Sequence, residues 1–343
     1  MSLFLSLGAG TILSGVGVAD ALMQPAKTYL QIVGGFCILN ALIPICSSYL
    51  RAFGFSKEPL YASIIGNVIN FCLNAFFLFV LHKGVAGVAT ATVISRIINL
   101  VIVVLLGAVL VKAKQHPERE SNRAVMGQII RIGLPSACET AIYNVSMTLV
   151  IRFLNQMDAQ GLNVTARSYT MQITNFSYCV GAALAQANAI MTGWHIGAKE
   201  YDACDRGTRK AAIIGVIVAV ILETMFALCS GWIMQLFSKD PQMVSLVGKL
   251  LAIDIVLEMG RVTNLVYGQA LKTSGDAVFP VVMGACFMIL CSVGGTYLFG
   301  IRLGLLAVGA YIGMAGDECV RAVGMYLRWK SGKWKEKGLV KSR

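Results

Sequence analysis

The chain has 343 residues, of which 57% are hydrophobic and only 13% charged, and its mean hydropathy is +0.71. A soluble domain carries about a quarter charged residues, so a water-soluble globule, which would need more charge to cover its surface, is excluded. The net charge of +12 does not signal a nucleic-acid partner either, because Lys and Arg cluster in short segments between long apolar runs, as in the cytoplasmic loops of a multi-pass membrane protein.

A spanning helix needs about 20 mostly apolar residues. An N-terminal piece over Leu3–Val18 comes first; Leu3–Leu13 is as apolar as a signal peptide, but no basic segment precedes it. Nine predicted spans follow: Thr28–Leu50, Leu60–Leu81, Val85–Val111, Ile129–Leu154, Ser168–Gly193, Ala211–Phe237, Met243–Ala270, Ala277–Phe299 and Leu303–Leu327. The connections are short and often marked by Gly or Pro, which suits antiparallel neighbours. The ten cysteines lie almost entirely inside apolar runs and form no CxxC pair. They read as small core- or lipid-facing residues rather than as disulfides or metal ligands.

The tail from Arg328 is strongly basic, which predicts a cytoplasmic C-terminus. Walking back, the same side receives Lys272, then Lys199, Arg206, Arg209 and Lys210, then Lys112, Lys114, Arg119 and Arg123, then Arg51 and Lys57. The other side receives Lys27, Lys83, Lys239 and Arg302. The expected protein is an all-α, polytopic membrane helix bundle in the cell membrane. Its predicted parts are an incomplete N-lobe over 1–112, a cytoplasmic linker over 113–128, a six-helix C-lobe over 129–327 and a basic cytoplasmic tail over 328–343.

An internal repeat supports two lobes. Leu50-Arg51-Ala52-Phe53-Gly54 running to Pro59 resembles Leu271-Lys272-Thr273-Ser274-Gly275 running to Pro280, with Leu, a basic residue, Gly and Pro at the same spacing. One apolar span later, Lys83-Gly84-Val85 matches Leu303-Gly304-Leu305. Both copies start and end on the same sides, a parallel repeat of the kind found in transporters. By this register two helices and most of a third lack a counterpart in the first half, so the N-terminal piece is expected to be the end of a cut helix.

Several segments together resemble the multidrug and toxic compound extrusion (MATE) family of cation-coupled antiporters. They are Tyr29-Leu30-Gln31-Ile32 with Ser48-Tyr49-Leu50-Arg51-Ala52-Phe53-Gly54; Asn67, Asn70 and Asn74 with Gly84-Val85-Ala86-Gly87; Ile132-Gly133-Leu134-Pro135 with Glu139; and Gly193 with Ile196-Gly197-Ala198. The resemblance spans essentially the whole chain. It implies two six-helix lobes with a two-helix-and-a-part deficit here, and it implies export of organic compounds coupled to cation entry.

Ionisable groups inside spans cost about 2.5–3.5 kcal/mol each to insert and are functional candidates by default. Glu139 follows Pro135, which removes a backbone hydrogen bond and opens a turn; Tyr143 and Ser146 continue its stripe at i+4 and i+7. Glu139 is either a proton or cation site or a paired glutamate that fixes packing. Asp254, Glu258 and Arg261 share a face at i, i+4 and i+7, with Asn264 beyond; they read as an ion-coupling face or as a structural ion pair. Gln172 and Asn175 either line a cavity or bond to neighbouring helices, and Asp317 with Arg321 reads as a structural pair. In some members of the family an acidic residue on the helix of Arg261 binds a cation. The resemblance puts Arg261 in that place, which favours H+ over Na+ as the coupling ion.

The expected function is a secondary antiporter exporting organic, often cationic, compounds. Its partners would be the small-molecule substrate and membrane lipid, with no cofactor and no obligate protein partner. The rivals are a lipid-linked oligosaccharide flippase of the same fold, which favours a cationic cleft, and a non-functional fragment. An enzyme is not expected: there is no HExxH, no GxSxG in a span and no pair of aspartates at span ends.

Overall fold

The structure is a computed structural model that describes residues 2–16, 20–111, 122–158 and 161–337. The first part of the expected linker, with Lys112, Lys114 and Arg119, lies outside the described residues, as do Lys341 and Arg343. The described residues are almost wholly helical and fall into two compact units, Met1–Glu118 and Arg119–Arg343.

The first unit contains α1 (Ser2–Leu7), α2 (Ala9–Val16), α3 (Asp20–Gly35), α4 (Leu39–Ala52), α5 (Lys57–Ala75) and α6 (Gly84–Val111). The N-terminal piece is two short helices broken at Gly8. The span expected over Thr28–Leu50 is likewise interrupted: Gly34 and Gly35, poor helix formers, end α3, and a turn closed by Cys37 N–H to Gly34 O (3.1 Å) leads into α4. Buried Leu50, Ala62, Val103 and Val111 form the core. Asn70 donates to Ser95 Oγ (3.2 Å) and accepts from Asn74 (3.0 Å), a polar tie between α5 and α6.

The second unit contains α7 (Asn122–Met157), α8 (Leu162–Gly197), α9 (Tyr201–Leu228), α10 (Ser230–Met234), α11 (Pro241–Thr273), α12 (Val278–Phe287) and α13 (Leu306–Lys330). Two π-helical stretches, Met288–Val293 and Thr296–Arg302, extend α12. Residues 122–128, expected in the linker, are instead the first turns of α7. The helices outrun the apolar segments because polar caps sit beyond the apolar band. Asp240 accepts from Gln242 N–H (3.0 Å) ahead of Pro241 at the start of α11. Asp158 accepts from the backbone N–H of Leu162 and Asn163 (2.9 and 3.0 Å) to cap α8. Slight burial pushes the Asp158 carboxyl up, but these bonds outweigh it and hold it below the usual carboxylate range.

Among the described residues, five helical stretches are long and apolar enough to cross a membrane by length and composition: Met23–Ala52, Lys57–Val80, Gly84–Val111, Tyr201–Leu228 and Val278–Arg302. α7, α8, α11 and α13 also have the length, since a helix of 25 residues or more exceeds the ~30 Å apolar layer at about 1.5 Å per residue. They are more polar on average because one face of each points inward. The surface is inverted relative to a soluble protein: Phe71, Phe79, Ile221 and Leu290 are exposed, while Glu223, Asp254, Glu258 and Asp317 are buried. The protein is a multi-pass membrane protein.

The repeat is visible in the backbone. α4 and α11 end on Gly54 (φ +90°) and Gly275 (φ +93°). In each, the N–H after the glycine returns to the buried leucine, Phe55 to Leu50 O (3.0 Å) and Asp276 to Leu271 O (2.9 Å), the hydrogen bonding of a left-handed helix stop. α11 is the central post of the second unit and packs on α8, α9 and α13. Its approach to α13 is closest at Gly260, where an added Cβ would lie 2.8 Å from the backbone of Glu318 and Cys319.

The tail folds back. Lys333–Lys337 forms a 3₁₀ turn, Trp334 stacks on Trp329 (4.2 Å between centroids, planes at 8°), and Trp329 Nε1–H donates to Asp205 (2.8 Å). Arg328 and Lys337 both donate to Asp276 (2.7 and 2.6 Å) in the α11–α12 turn. Burial pushes the Asp276 carboxyl up, but its two cationic partners outweigh that and hold it below the usual range. The folded value is the lower one, so the contribution of the clamp is complete above the unfolded value of about 3.9 and is lost as pH falls through the folded value. At neutral pH, Asp276→Asn should speed hydrogen exchange of the Lys333–Lys337 amides by about tenfold or more, as expected for losing hydrogen bonds to a charged group worth about 1.5–3 kcal/mol. Unchanged protection would show that the tail is held by its tryptophans alone.

Candidate functional site

The second unit encloses a cavity of about 680 Å³, walled by α7, α8, α11, α12 with its extension, and α13. This is within the range of sites that hold drug-sized molecules. Of the residues expected to form the site, Glu139, Tyr143, Asn175, Asp254, Arg261 and Asn264 line it. Glu258 sits directly behind the wall, fully buried and bonded to Arg261 (Arg261 Nη1 to Glu258 Oε2, 2.8 Å). Ser146 and Gln172 do not line it. Ser146 is buried at the edge of the cavity-facing side of α7, and Gln172 is exposed, roughly 100° round α8 from the lining residue Met171.

Along α7, Ser136, Thr140, Asn144 and Thr148 each donate a side-chain hydrogen bond to the carbonyl four residues back (2.8–3.1 Å). The first three face the cavity. This ladder shares the side of α7 that carries Glu139 and Tyr143, and was not anticipated. The signal was there: a polar residue at every fourth position of an otherwise apolar helix.

Charge in the wall is organised into pairs. Lys272 Nζ lies 2.6 Å from Glu139 Oε2, an ion pair whose angle is not that of a hydrogen bond. A longer chain of charge crosses from α11 to α13. Arg261 reaches Glu258 and, at 3.6 Å, Glu318; Arg321 reaches Glu318 (2.9 Å) and grips Asp317 with two bonds (both 2.9 Å). Asn264 and Ser292 complete it by donating to Glu318 (3.0 Å) and Asp317 (2.9 Å). The expected face of Asp254, Glu258 and Arg261 is therefore half of a two-helix network. The Asp317–Arg321 pair belongs to it, and Glu318 joins the halves. Arg261 also lies over the Tyr178 ring, 6.0 Å from its centroid.

Two carboxylates stand apart from these pairs. Asp254 is 2% exposed and makes no hydrogen bond or ion pair among the described residues, with Oδ2 fully enclosed. Glu223 on α9 is completely buried; among the described residues neither of its carboxylate oxygens makes a hydrogen bond of good geometry, and the hydroxyl beside it is that of Ser177. A charged carboxylate without a partner in an apolar interior is the most costly arrangement of such a group. It is also the one at which an arriving cation or proton has most to gain. Arg167 on α8 is the cationic counterpart: it is 7% exposed, and among the described residues its Nε–H is unpartnered and its hydrogen-bond contact is the sulfur of Met147 at 3.7 Å.

Arg167 and Lys272 were missed as site residues for one reason. The apolar spans were expected over Ser168–Gly193 and Met243–Ala270, whereas the helices run from Leu162 and to Thr273. Both cations therefore fell just outside the spans: Lys272 read as a loop charge, and Arg167 drew no reading. Met147, Met171, Met288, Met314 and Met325 supply the apolar, adaptable part of the wall.

Comparison with known proteins agrees with this architecture. The chain is 34% identical over 335 residues to the uncharacterized transporter YisQ of Bacillus subtilis, covering 96% of this chain and 73% of that protein. It is 22% identical to the probable multidrug resistance protein NorM of Thermotoga maritima, covering 99% of this chain and 76% of that one. A crystal structure of MATE in the bent conformation superposes with a TM-score of 0.86 at 17% identity, over 98% of this chain and 75% of that one. The MatE family model matches residues 1–76 and 135–298, in both units, and the chain belongs to that family.

Proposed function

We propose that the protein is a secondary antiporter that exports bulky organic, often cationic, compounds from the cell against the entry of protons, with its C-terminus in the cytoplasm. The observation that carries this reading is Asp254: a buried carboxylate without a partner, in the wall of a drug-sized cavity inside a membrane-spanning bundle. Family membership supports transport, and the name of the Thermotoga maritima relative supports multidrug export. Glu139, Asp254 and Glu258 exchange the coupling ion, with Arg261 as the fixed cation that balances their charge, and Tyr143, Asn175 and Asn264 face the substrate. Arg261 favours protons over sodium, because its guanidinium occupies the space between Glu258 and Glu318 where a metal cation would otherwise collect oxygen ligands. The flippase reading draws on one cation of the wall alone: Arg261, Lys272 and Arg321 are each neutralised by carboxylates, and Arg167 is not.

In inverted vesicles, Glu139→Gln should lower proton-driven uptake of a cationic dye by about tenfold, the loss expected when an interaction worth about 1.4 kcal/mol disappears. Unchanged uptake would remove Glu139 from the coupling machinery. Uptake that survives collapse of the proton gradient but needs sodium would overturn the choice of ion.

A further inference from the structure

The buried residues of α9 form one stripe: Cys204, Thr208, Ala212, Gly215, Ala219 and Glu223. Small side chains occupy it up to its last member, a glutamate. The stripe packs on α11, which runs the other way: Cys204 clusters with Val266, Tyr267 and Ala270, and Phe226 packs against the cluster of Val247, Leu250 and Leu251. The two helices lie close at Gly215, where an added Cβ would be 2.7 Å from the side chain of Val262. From that contact, eight residues forward on α9 is Glu223, and eight residues back on α11 is Asp254. Both steps advance about 12 Å in the same direction, so the two carboxyls stand level across the seam, with Glu258 one turn away. Asp254 and Glu258 both act electrostatically on Glu223.

The guanidinium that faces this group, Arg261, is already bonded to Glu258 and reaches Glu318; Arg321 beyond it is bonded to Asp317 and Glu318. From α8, Glu223 meets the neutral hydroxyl of Ser177. Glu223 is fully buried and does not line the cavity, whereas Asp254 lines it and turns Oδ2 into the closed interior. Two ionised carboxyls so placed repel each other with little solvent to screen them. A proton removes the charge and needs neither a cavity nor a shell of ligands.

We propose that Glu223 is a second proton-binding residue of the transport cycle, a store behind the cavity wall that is loaded and emptied through Asp254. A proton arriving from the cavity binds Asp254 and passes inward: the O–H bond on Asp254 breaks as one forms on Glu223. Asp254 is then a carboxylate again and takes the next proton. Release retraces these steps, so each cycle moves one proton for each of the two carboxyls. The inference rests on the reading that the protein is a proton-coupled exporter, and it adds to that reading a residue and a proton.

Proteoliposomes of the purified full chain test this with ethidium, a permanent monovalent cation. Two protons exchanged for one such cation move net charge. At equal pH on both sides, an inside-positive potassium diffusion potential should therefore draw ethidium inward, against its own electrical leak. Glu223→Gln should abolish this voltage-driven uptake. With the potential clamped at zero and the interior about one pH unit more acid, the variant should lower the accumulation ratio from about a hundredfold to about tenfold, because each returned proton contributes a factor of about ten. Glu223→Asp should keep both responses. Voltage-driven uptake that persists in Glu223→Gln, or a parent that shows none, would overturn the proposal and leave the exporter reading intact. A parent without pH-driven uptake would overturn that reading and this one with it. Should Glu223→Gln take up nothing in either assay, infrared spectra of the folded proteins in detergent decide. The carbonyl stretch of a protonated carboxyl that the variant lacks should be present in the parent at low pH and vanish at high pH. A band that no pH removes would mark a permanently neutral glutamate and overturn the proposal, as would a variant that lacks no band.

Discussion

Arg321→Met is expected to cost about 3–5 kcal/mol of stability, the penalty for breaking a buried ion pair from one side. Arg321 is 4% exposed, grips Asp317 with two bonds and holds Glu318 with a third. Removing it leaves two enclosed carboxylates on adjacent residues of α13, with only Arg261, 3.6 Å from Glu318, as a remaining cation. Ser292 and Asn264 each still donate one bond, too little to hold two charges. A thermal melt in detergent and the yield of monodisperse protein measure the loss. Adding Asp317→Asn and Glu318→Gln to Arg321→Met should recover most of it, because neutralising a whole buried network is often close to neutral. A single variant that melts within about two degrees of the parent would mean that the pairing contributes little, since 1 kcal/mol moves the midpoint by about that much in a domain of this size.

Asp254→Asn should behave in the opposite way. The carboxylate it replaces makes no hydrogen bond or ion-pair contact among the described residues, so no bond is broken, and relieving its burial outweighs the more distant attraction of Arg261. The variant should melt at or above the parent temperature. Its proton-driven efflux should nevertheless fall by at least about tenfold, because an amide at this position exchanges no proton and holds no cation. Melting and initial efflux rate, measured on the same preparation, separate the two effects. Undiminished efflux would show that Asp254 takes no part in coupling. A large drop in melting temperature would show that it has a structural partner after all.

Much of the architecture was legible in the sequence because membrane insertion acts on averages. Apolar runs, basic loops and a repeated Leu–basic–Gly–Pro segment are one-dimensional signals, and the repeat reappears as two glycines with φ near +90°. Helix ends were harder to place, because they depend on caps such as Asp158 and Asp240 that lie beyond the apolar run. That error carried into the site: it put Lys272 in a loop, passed over Arg167, and hid the ion pair of Glu139 with Lys272. The reading of one face of α11 was correct as far as one helix goes. The network depends equally on Glu318 and Arg321 from α13, and which helices meet is set by close approaches such as Gly260, which no single-helix periodicity reveals. Ser146 and Gln172 were misplaced because a stripe defined by i+3, i+4 and i+7 spacing is wider than the face that actually reaches the cavity.

The ladder on α7 has a consequence for what the cavity can recognise. Ser136, Thr140 and Asn144 are polar, yet each already spends a donor on its own helix. On this side a guest meets acceptors more than donors, because the hydroxyl protons of Ser136 and Thr140 are already given to the helix, and elsewhere it meets thioethers that conform to varied shapes. Selection by such a wall rests on net charge, bulk and the donors that the guest itself brings. Chemically unrelated guests with the same charge layout become equivalent to it, so breadth of recognition here is a property of a helix bonded to itself rather than of a loosely packed one.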